Sequence, residues 1–563
     1  MHLTRLHYAC LTAWLLILIS APAAADDVQA EIERYVKACV DVEQFMGAVL
    51  VVNDDRELLA RGFGLANVEL EVANTTKTKF RLGSITKQFT AMAIMVLAEQ
   101  GKLTVDDPVA RHLNDTPDAW NDVTIHHLLS HTSGIPNFTS FPEYAATMML
   151  PSTPSQTIAR FKDKPLEFTP GEKFAYSNSG YIVLGAIIEK VSGKSYEEFL
   201  NEAIFEPLEM RDTGYDHHDQ ILARRAAGYD QRDGGVVNAA FIDMSVPFAA
   251  GALYSTVDDL KRWDQALRAA KLVSAESLAR MFTPVKSDYG YGWQIETRCD
   301  HQAMSHGGGI NGFATYLIRI PDKQALVVVL SNVVSHRPAR MAVDLTSILL
   351  KEPYKLPRAR HAVELDPSAF DGLVGVYRLS PELQLTITRE DNRLFSAVSE
   401  RSKDELFPES ETEFFYKAVD AQITFVRDHK GRATRLILHQ GGADTVGVRG
   451  EADRGAVTQA RRRIFGVKIS PLCEELRKRA QLDETAGVLV VKVFPGTTAA
   501  DAGLQPGDIL LSINGSRVVD VAAFLAQVAE IQDGYMVAVE TVRDGQKSIK
   551  QATMKSRLRE TSD

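Results

Sequence analysis

Phe80-Arg81-Leu82-Gly83-Ser84-Ile85-Thr86-Lys87-Gln88-Phe89-Thr90 begins an apolar segment that continues to Gly101. The segment is apolar on nearly every side, which is typical of a helix buried in a core. Because Ser84 and Lys87 are three residues apart, they share one helical face, and the Lys87 amine can take the proton of the Ser84 hydroxyl. The first turn of a helix also stabilises negative charge. The stretch therefore predicts a serine nucleophile on a rigid mount.

Predicted strands flank a mostly helical middle in the first part of the chain. Gly47 to Val52 and Glu57 to Gly64 form one predicted hairpin, and Ala314 to Ile320 with Gln324 to Ser331 form another. Residues 105–280 read as mostly helical. This order favours an α+β fold, with one sheet built from both ends of the region and a helical region inserted between them.

Two further stretches hold the other polar residues of the predicted site. Ala175-Tyr176-Ser177-Asn178-Ser179-Gly180 precedes a predicted helix, and Ser305-His306-Gly307-Gly308-Gly309 precedes a predicted hairpin. Each stretch has an ordinary structural explanation: Tyr176 as a core residue, Asn178 as a helix cap, and the glycine run as a turn. Ser-x-x-Lys is also weak evidence by itself, since about two matches are expected by chance in a chain of this length.

In combination, these stretches resemble the serine β-lactamase-related family of class C β-lactamases, D-alanyl-D-alanine carboxypeptidases, D-aminopeptidases and esterases. The three family motifs occur in the family's order, as Ser84-x-x-Lys87, Tyr176-x-Asn178 and His306-x-Gly308. Further matching stretches are Leu128 to Gly134, Gly251 to Thr256 and Tyr289 to Trp293. The resemblance covers roughly residues 30–350 and implies a β-lactamase/transpeptidase-like fold.

The resemblance implies a role for each motif residue. Ser84 would attack a carbonyl and form an acyl-enzyme, with Lys87 and Tyr176 moving the proton. Which of these two acts first stays open. Asn178 would orient Lys87 or a substrate amide. The oxyanion would lie against backbone N–H groups of Ser84 and of the edge formed by Gly308 and Gly309.

The third motif departs from the β-lactamase pattern, because His306 stands where β-lactamases and peptidases acting on D-alanyl-D-alanine usually have lysine. A histidine near its reference pKa is mostly neutral at pH 7 and holds a substrate carboxylate less well. The His-x-Gly form resembles that of D-aminopeptidases and esterases. We therefore expect small esters or D-amino-acid amides to be better substrates than β-lactams.

The chain changes character after this region. Regular short strands from Asp366 to about Gly450 predict a small antiparallel sheet or barrel, weakly resembling a lipocalin-like domain. The polar stretch with Arg461-Arg462-Arg463 reads as a solvated linker rather than a binding patch. Residues from Ile464 resemble a PDZ domain, in which Phe465, Gly466 and Val467 would bind a peptide carboxylate. The alternative is a PDZ fold used only for packing within the chain.

Composition limits the remaining possibilities. With 63 Lys and Arg against 73 Asp and Glu, the net charge is −10, which disfavours a nucleic-acid partner. The four cysteines, Cys10, Cys39, Cys299 and Cys473, are too far apart for a disulfide framework or a metal cluster, although one bridge is possible. His126, His127 and His131 lack the accompanying acidic pattern of a metal site, so neither a metal nor a cofactor is predicted.

The first residues have the form of a secretory signal peptide, with a short apolar run followed by Ala23-Ala24-Ala25. Cleavage after Ala25 would export the protein to the periplasm or the medium without stable membrane insertion, and an uncleaved anchor is the alternative. The predicted organisation is a signal peptide (1–25), a β-lactamase-related catalytic domain (26–355), a small lipocalin-like β-barrel (363–452) and a PDZ domain (460–555).

The predicted function is therefore that of an exported serine hydrolase, acting on a small-molecule or peptide substrate, with a possible peptide C-terminus bound at the PDZ domain. A true β-lactamase or D-alanyl-D-alanine carboxypeptidase is the first alternative. A non-catalytic scaffold that binds peptides through its PDZ domain is the second.

Overall fold

The protein is described from a computed structural model, which covers residues 22–232, 235–335, 337–358, 362–379, 383–398, 403–416, 421–440, 443–450, 465–482, 487–531, 534–543 and 545–555. The predicted signal peptide lies outside these residues apart from residues 22–25, which begin the first helix. The predicted linker arginines, residues 461–463, also lie outside them.

The N-terminal region contains a six-stranded antiparallel sheet in the order β10-β11-β12-β13-β1-β2. Its outer strands come from opposite ends of the region, as the sequence predicts. The strands are β1 (Gly47–Asn53), β2 (Arg56–Phe63), β3 (Leu65–Asn67), β4 (Val72–Ala73), β5 (Phe80–Arg81), β6 (Gly214–Tyr215), β7 (Tyr229–Arg232), β8 (Gly235–Asn238), β9 (Leu253–Ser255), β10 (Gln294–Arg298), β11 (His301–Ile310), β12 (Phe313–Ile320), β13 (Ala325–Ser331) and β14 (Val333–Val334).

Helices cover both faces of this sheet. They are α1 (Pro22–Glu43), α2 (Thr86–Glu99), α3 (Ile125–Leu129), α4 (Tyr144–Thr147), α5 (Pro154–Ala159), α6 (Asn178–Ser192), α7 (Tyr196–Leu200), α8 (Phe248–Gly251), α9 (Val257–Arg268), α10 (Ala275–Met281) and α11 (Arg337–Leu349). Side chains of a strand alternate between faces, so Leu50 joins the core around α2 while Val49 and Val51 join the core beneath α1 and α11. The inserted region is less helical than predicted, because it also contains β6 to β9 and many turns, but it shares one core with α2 and the sheet.

A closed barrel follows and confirms the predicted small antiparallel barrel. Its eight strands are β15 (Gly375–Arg378), β16 (Gln384–Glu390), β17 (Arg393–Ala397), β18 (Asp404–Pro408), β19 (Glu413–Phe415), β20 (Ala421–Arg427), β21 (Ala433–Gln440) and β22 (Ala443–Gly450). Closure leaves no exposed sheet edge. Buried side chains such as Tyr377, Phe414 and Phe425 form its core.

The C-terminal domain is a sheet in the order β23-β24-β25-β27-β28, with β26 paired to β25. Its elements are β23 (Val467–Pro471), α12 (Glu474–Arg479), β24 (Val488–Val493), α13 (Thr498–Asp501), β25 (Ile509–Ile513), β26 (Ser516–Arg517), α14 (Val521–Glu530), β27 (Met536–Arg543) and β28 (Gln546–Thr553). Strand β23 is therefore at an edge of the sheet.

The C-terminal domain packs against the N-terminal region. Val490 and Leu510 lie in the domain's own core, whereas Leu489 and Leu511 belong to the core beneath α1 and α11. A disulfide joins Cys299 to Cys473, so the single bridge that the sequence allows links these two parts of the chain.

None of the helices in the described ranges has an apolar stretch long enough to cross a bilayer. Within the same ranges, no three His, Cys, Asp or Glu side chains are grouped so that they could hold a metal ion.

Candidate active site

Ser84 lies in a single 3-10 turn, Gly83–Ile85, directly before α2. This differs slightly from the predicted first α-helical turn. The spacing still places Lys87 beside it, because Nζ of Lys87 lies within hydrogen-bond distance of Oγ of Ser84, at 3.0 Å. Ser84 is half-buried and Lys87 is fully buried. The serine hydroxyl is therefore reachable while its neighbouring amine is shielded from water.

The surroundings of Lys87 favour the neutral amine. Burial alone lowers the pKa of Lys87 well below its usual value, because the charged form loses its hydration. Nζ also donates to Oδ1 of Asn178 and to the Ala250 carbonyl oxygen, both at 2.9 Å. These two oxygens accept hydrogen bonds only, so they take both N–H groups of a neutral amine. The remaining lone pair then faces the Ser84 hydroxyl, which can donate.

Asn178 is the first residue of α6, and its side chain does not cap that helix. Its Oδ1 accepts from Lys87, and its Nδ2 donates to Oγ1 of Thr139 at 3.1 Å. Its main-chain N–H donates to Oδ1 of Asn137 at 3.1 Å, and Thr139 donates to the same oxygen at 3.0 Å. These bonds fix the orientation of the Asn178 amide, with its oxygen toward Lys87.

Tyr176 is a second polar neighbour of the nucleophile. Burial raises the pKa of its phenol, and a hydrogen bond with Ser84 lowers it by less, so the pKa stays above the ordinary value. Nζ of Lys87 is 4.8 Å from the centre of the Tyr176 ring. The hydroxyl is therefore protonated at neutral pH and lies beside Ser84.

His131 holds the stretch that carries Tyr176, a role that the sequence interpretation did not assign to it. Its carbonyl oxygen accepts from Ala175 N at 2.9 Å, and its Nδ1 accepts from Ser177 N at 3.2 Å. The His131 ring lies 4.2 Å from that of Tyr176, and the residue is buried. Its φ of +56° is unusual for a residue other than glycine. Its position within the matching stretch Leu128 to Gly134 was the only sign of this role.

Both ring nitrogens of His306 are occupied by protein groups. Nδ1 lies 2.6 Å from the Gly307 carbonyl oxygen, which can only accept, so Nδ1 carries the proton. Nε2 then accepts from the Tyr289 hydroxyl at 2.8 Å. Burial and the nearby Lys87 lower the pKa of His306 to about 4. The imidazole is therefore neutral at pH 7.

The glycines of β11 lie directly against the Ser84 turn. A Cβ on Gly308 would be 1.9 Å from the Leu82 carbonyl oxygen, so only glycine fits there. A Cβ on Gly309 would meet nothing within 4 Å. The open space at Gly309 is where a substrate could lie along the strand.

The predicted peptide-binding residues lie at the start of β23. Gly466 has a φ of +87°, and a Cβ there would be 2.1 Å from Cβ of Thr497. Phe465 is buried, with its ring 5.6 Å from that of Phe524 on α14. The edge strand and the neighbouring helix have the arrangement that a strand-adding peptide requires.

A protein-family model described as Beta-lactamase matches residues 32–350, more than half of the chain. The chain belongs to this family. A domain of unknown function matches residues 359–449, and a PDZ domain model matches residues 465–551.

Relatives along much of the chain are penicillin-binding proteins by name. "Penicillin-binding protein 4*" of Bacillus subtilis (strain 168) is 30% identical over 432 residues, which are 72% of this chain and 95% of the relative. The solved octameric penicillin-binding protein homologue from Pyrococcus abyssi is 28% identical, with a TM-score of 0.54 over 74% of this chain and 99% of that one. A penicillin binding protein from Bacillus halodurans is 29% identical, with a TM-score of 0.50 over 56% and 98%. The chain is thus a serine hydrolase of the penicillin-binding-protein-like type, with a PDZ domain.

Proposed function

We propose that the protein is an exported hydrolase that forms an acyl-enzyme on Ser84, using esters, amides or D-amino-acid peptides as substrates. The observation that carries the proposal is the contact of 3.0 Å between Ser84 and a buried amine. The two other partners of that amine accept hydrogen bonds only. Such an amine is a base with its lone pair directed at the nucleophile.

In the proposed acylation, Lys87 takes the Ser84 proton as Oγ bonds to the substrate carbonyl carbon. The carbonyl oxygen becomes an oxyanion held by backbone N–H groups of Ser84 and of the Gly308–Gly309 edge. Tyr176 gives its proton to the leaving group as the bond to the carbonyl carbon breaks, and Lys87 returns a proton to Tyr176. Water then attacks the ester, and the same groups move the proton in reverse.

The opposite pKa shifts support Lys87 as the first base. Burial lowers the pKa of the amine and raises that of the phenol. At neutral pH the amine is therefore ready to accept a proton and the phenol is ready to donate one. Asn178 would keep Lys87 in place by accepting one of its N–H groups.

The neutral His306 supports substrates that lack a carboxylate at this position. Its Nε2 and Nδ1 already bind Tyr289 and Gly307, so it provides neither a fixed charge nor a spare donor. The names of the relatives favour the first alternative, a true β-lactamase or D-alanyl-D-alanine carboxypeptidase. Acylation by a β-lactam, followed by intact mass, separates the two.

A second proposed activity is peptide binding at the edge of β23, with the peptide carboxylate at Phe465, Gly466 and Val467. The position of β23 as the outermost described strand of the sheet, beside α14, supports it. In the second alternative, a non-catalytic scaffold, peptide binding at this site would be the protein's only activity.

Export is proposed from the signal-peptide pattern of residues 1–25. The Cys299–Cys473 disulfide supports it, because such bonds persist in oxidising compartments. We also propose the domain limits 26–355, 363–452 and 460–555.

The test is a panel of small esters, D-amino-acid amides and nitrocefin, assayed with wild type and Ser84→Ala. We expect turnover of esters or amides to exceed that of nitrocefin and to disappear in the variant. A fluorophosphonate probe distinguishes the scaffold, since folded wild type that stays unlabelled would favour peptide binding without catalysis.

A further inference from the structure

The edge strand β10 links the PDZ domain to the active site. It pairs with β11, and Gln294 lies opposite Ser305, the residue before His306. Just before β10 in the chain, Tyr289 forms a backbone bridge with Gln294, and its hydroxyl donates to His306. The position of β10 and of the turn before it therefore bears directly on the third motif.

The turn that precedes β10 by a few residues and the turn that directly follows it each have two consecutive residues in the left-handed region. Ser287 and Asp288 have φ values of 50° and 56°, and Cys299 and Asp300 have 51° and 63°. Two-residue hairpin turns of this form favour glycine at the second position, where both of these turns have aspartate. These turns are therefore less stable by themselves than their usual counterparts.

The PDZ domain holds the tip of each turn. Nζ of Lys468 lies 2.7 Å from Oδ2 of Asp288 at the first turn. At the second turn, Cys473 forms the disulfide with Cys299, and Arg479 pairs with Asp300. The PDZ domain therefore contacts the turn before β10 and the turn after it.

We propose that Lys468 and Asp288 are positioning residues of the active site, because they fix the turn that holds Tyr289 against His306. The inference rests on the proposed function of this site. Lys468 follows Val467 on β23, the outermost described strand of the sheet, whose edge would take a peptide. A peptide added to that edge would order the strand that holds Asp288, so peptide binding and hydrolysis would be linked.

The test uses the full-length protein with three substitutions and one matched control. Lys468→Met removes the closer ion pair of Asp288 and leaves its contact of 4.0 Å with Lys492, whereas Asp288→Asn removes both. The double variant Lys468→Asp with Asp288→Lys reverses the closer pair. The control is Lys547→Met, which removes an exposed PDZ lysine that lies 4.0 Å from Glu540 within the same sheet.

Two measurements are made on each variant: kcat and KM on the best substrate of the panel, and hydrogen exchange of the segment 286–310. The ion pair is partly exposed, so we expect each single variant to lose about twofold to fivefold in kcat at unchanged KM and melting temperature. Exchange of the segment should rise in both. The reversed pair should restore both quantities, and the control should match wild type.

Unchanged exchange and unchanged kcat in both single variants would overturn the inference. So would a loss that the reversed pair does not restore. If wild type hydrolyses nothing in the panel, the proposed function fails, but exchange still decides whether Lys468 holds the turn. Faster exchange in the single variants and its recovery in the reversed pair would then support positioning of the turn without the hydrolase.

Discussion

The hydroxyl of Tyr289 donates a hydrogen bond of 2.8 Å to Nε2 of His306. Because Nδ1 is engaged by the Gly307 carbonyl, the third-motif histidine is held as one neutral tautomer. A lysine at this position would carry a charge that attracts a carboxylate, whereas the neutral ring offers none. This pair of residues therefore bears on the proposed choice of substrate.

The first prediction follows from this pair. His306→Lys should increase the rate of acylation by benzylpenicillin about tenfold or more, since hydrogen bonds to charged groups contribute about 1.5–3 kcal/mol. Ester turnover should not rise. Intact mass against time measures the acylation, with His306→Gln as the neutral control. Equal rates for the lysine and glutamine variants would contradict the substrate argument.

The second prediction concerns pH. Lys87 must be deprotonated to act as a base, so kcat/KM should rise with pH through a pKa below the usual lysine value. His306 titrates at about 4, so His306→Gln should leave the shape of the profile unchanged between about pH 5.5 and 8. Lys87→Met should lose about a thousandfold in kcat, as expected when a general base is removed. If the rise of kcat/KM with pH disappears in His306→Gln, the titrating base is His306 and the assignment to Lys87 is wrong.

The third prediction uses two neighbouring glycines. Gly308→Ala should lower the melting temperature, because its Cβ would overlap the Leu82 carbonyl oxygen. Gly309→Ala should leave the melting temperature unchanged, because its Cβ enters open space, but it should raise KM if substrate lies there. Calorimetry and steady-state kinetics separate the two effects. A Gly309→Ala enzyme with wild-type kinetics would show that substrate lies elsewhere.

The fourth prediction concerns His131. Asparagine can replace Nδ1 as an acceptor for Ser177 N and tolerates the left-handed backbone, whereas leucine does neither. We expect kcat of His131→Leu to be about tenfold below that of His131→Asn at similar KM, since an unsatisfied buried N–H costs about 1–3 kcal/mol. Equal kcat values for the two variants would show that the Tyr176 stretch does not depend on Nδ1 of His131 as an acceptor.

The parts of the fold that could be predicted depend on local patterns. The apolar segment after Ser84, the two hairpins and the alternation in the barrel follow from periodicity, and all are present. Lys87 lies beside Ser84 because helical spacing brings them together. Partners distant in the chain could not be inferred: the Ala250 carbonyl at Lys87, Tyr289 at His306 and Cys473 at Cys299 meet only through tertiary packing. The domain limits and the roles of the site residues stay predictions.

The most direct measurement is the mass of the protein during turnover of an activated ester, p-nitrophenyl acetate, quenched in acid and mapped by peptide. The proposed mechanism predicts a protein heavier by one acetyl group, with the group on the peptide that contains Ser84, and no such species in Ser84→Ala. Ester turnover by Ser84→Ala at the wild-type rate, or an acetyl group carried elsewhere during productive turnover, would contradict Ser84 as the nucleophile.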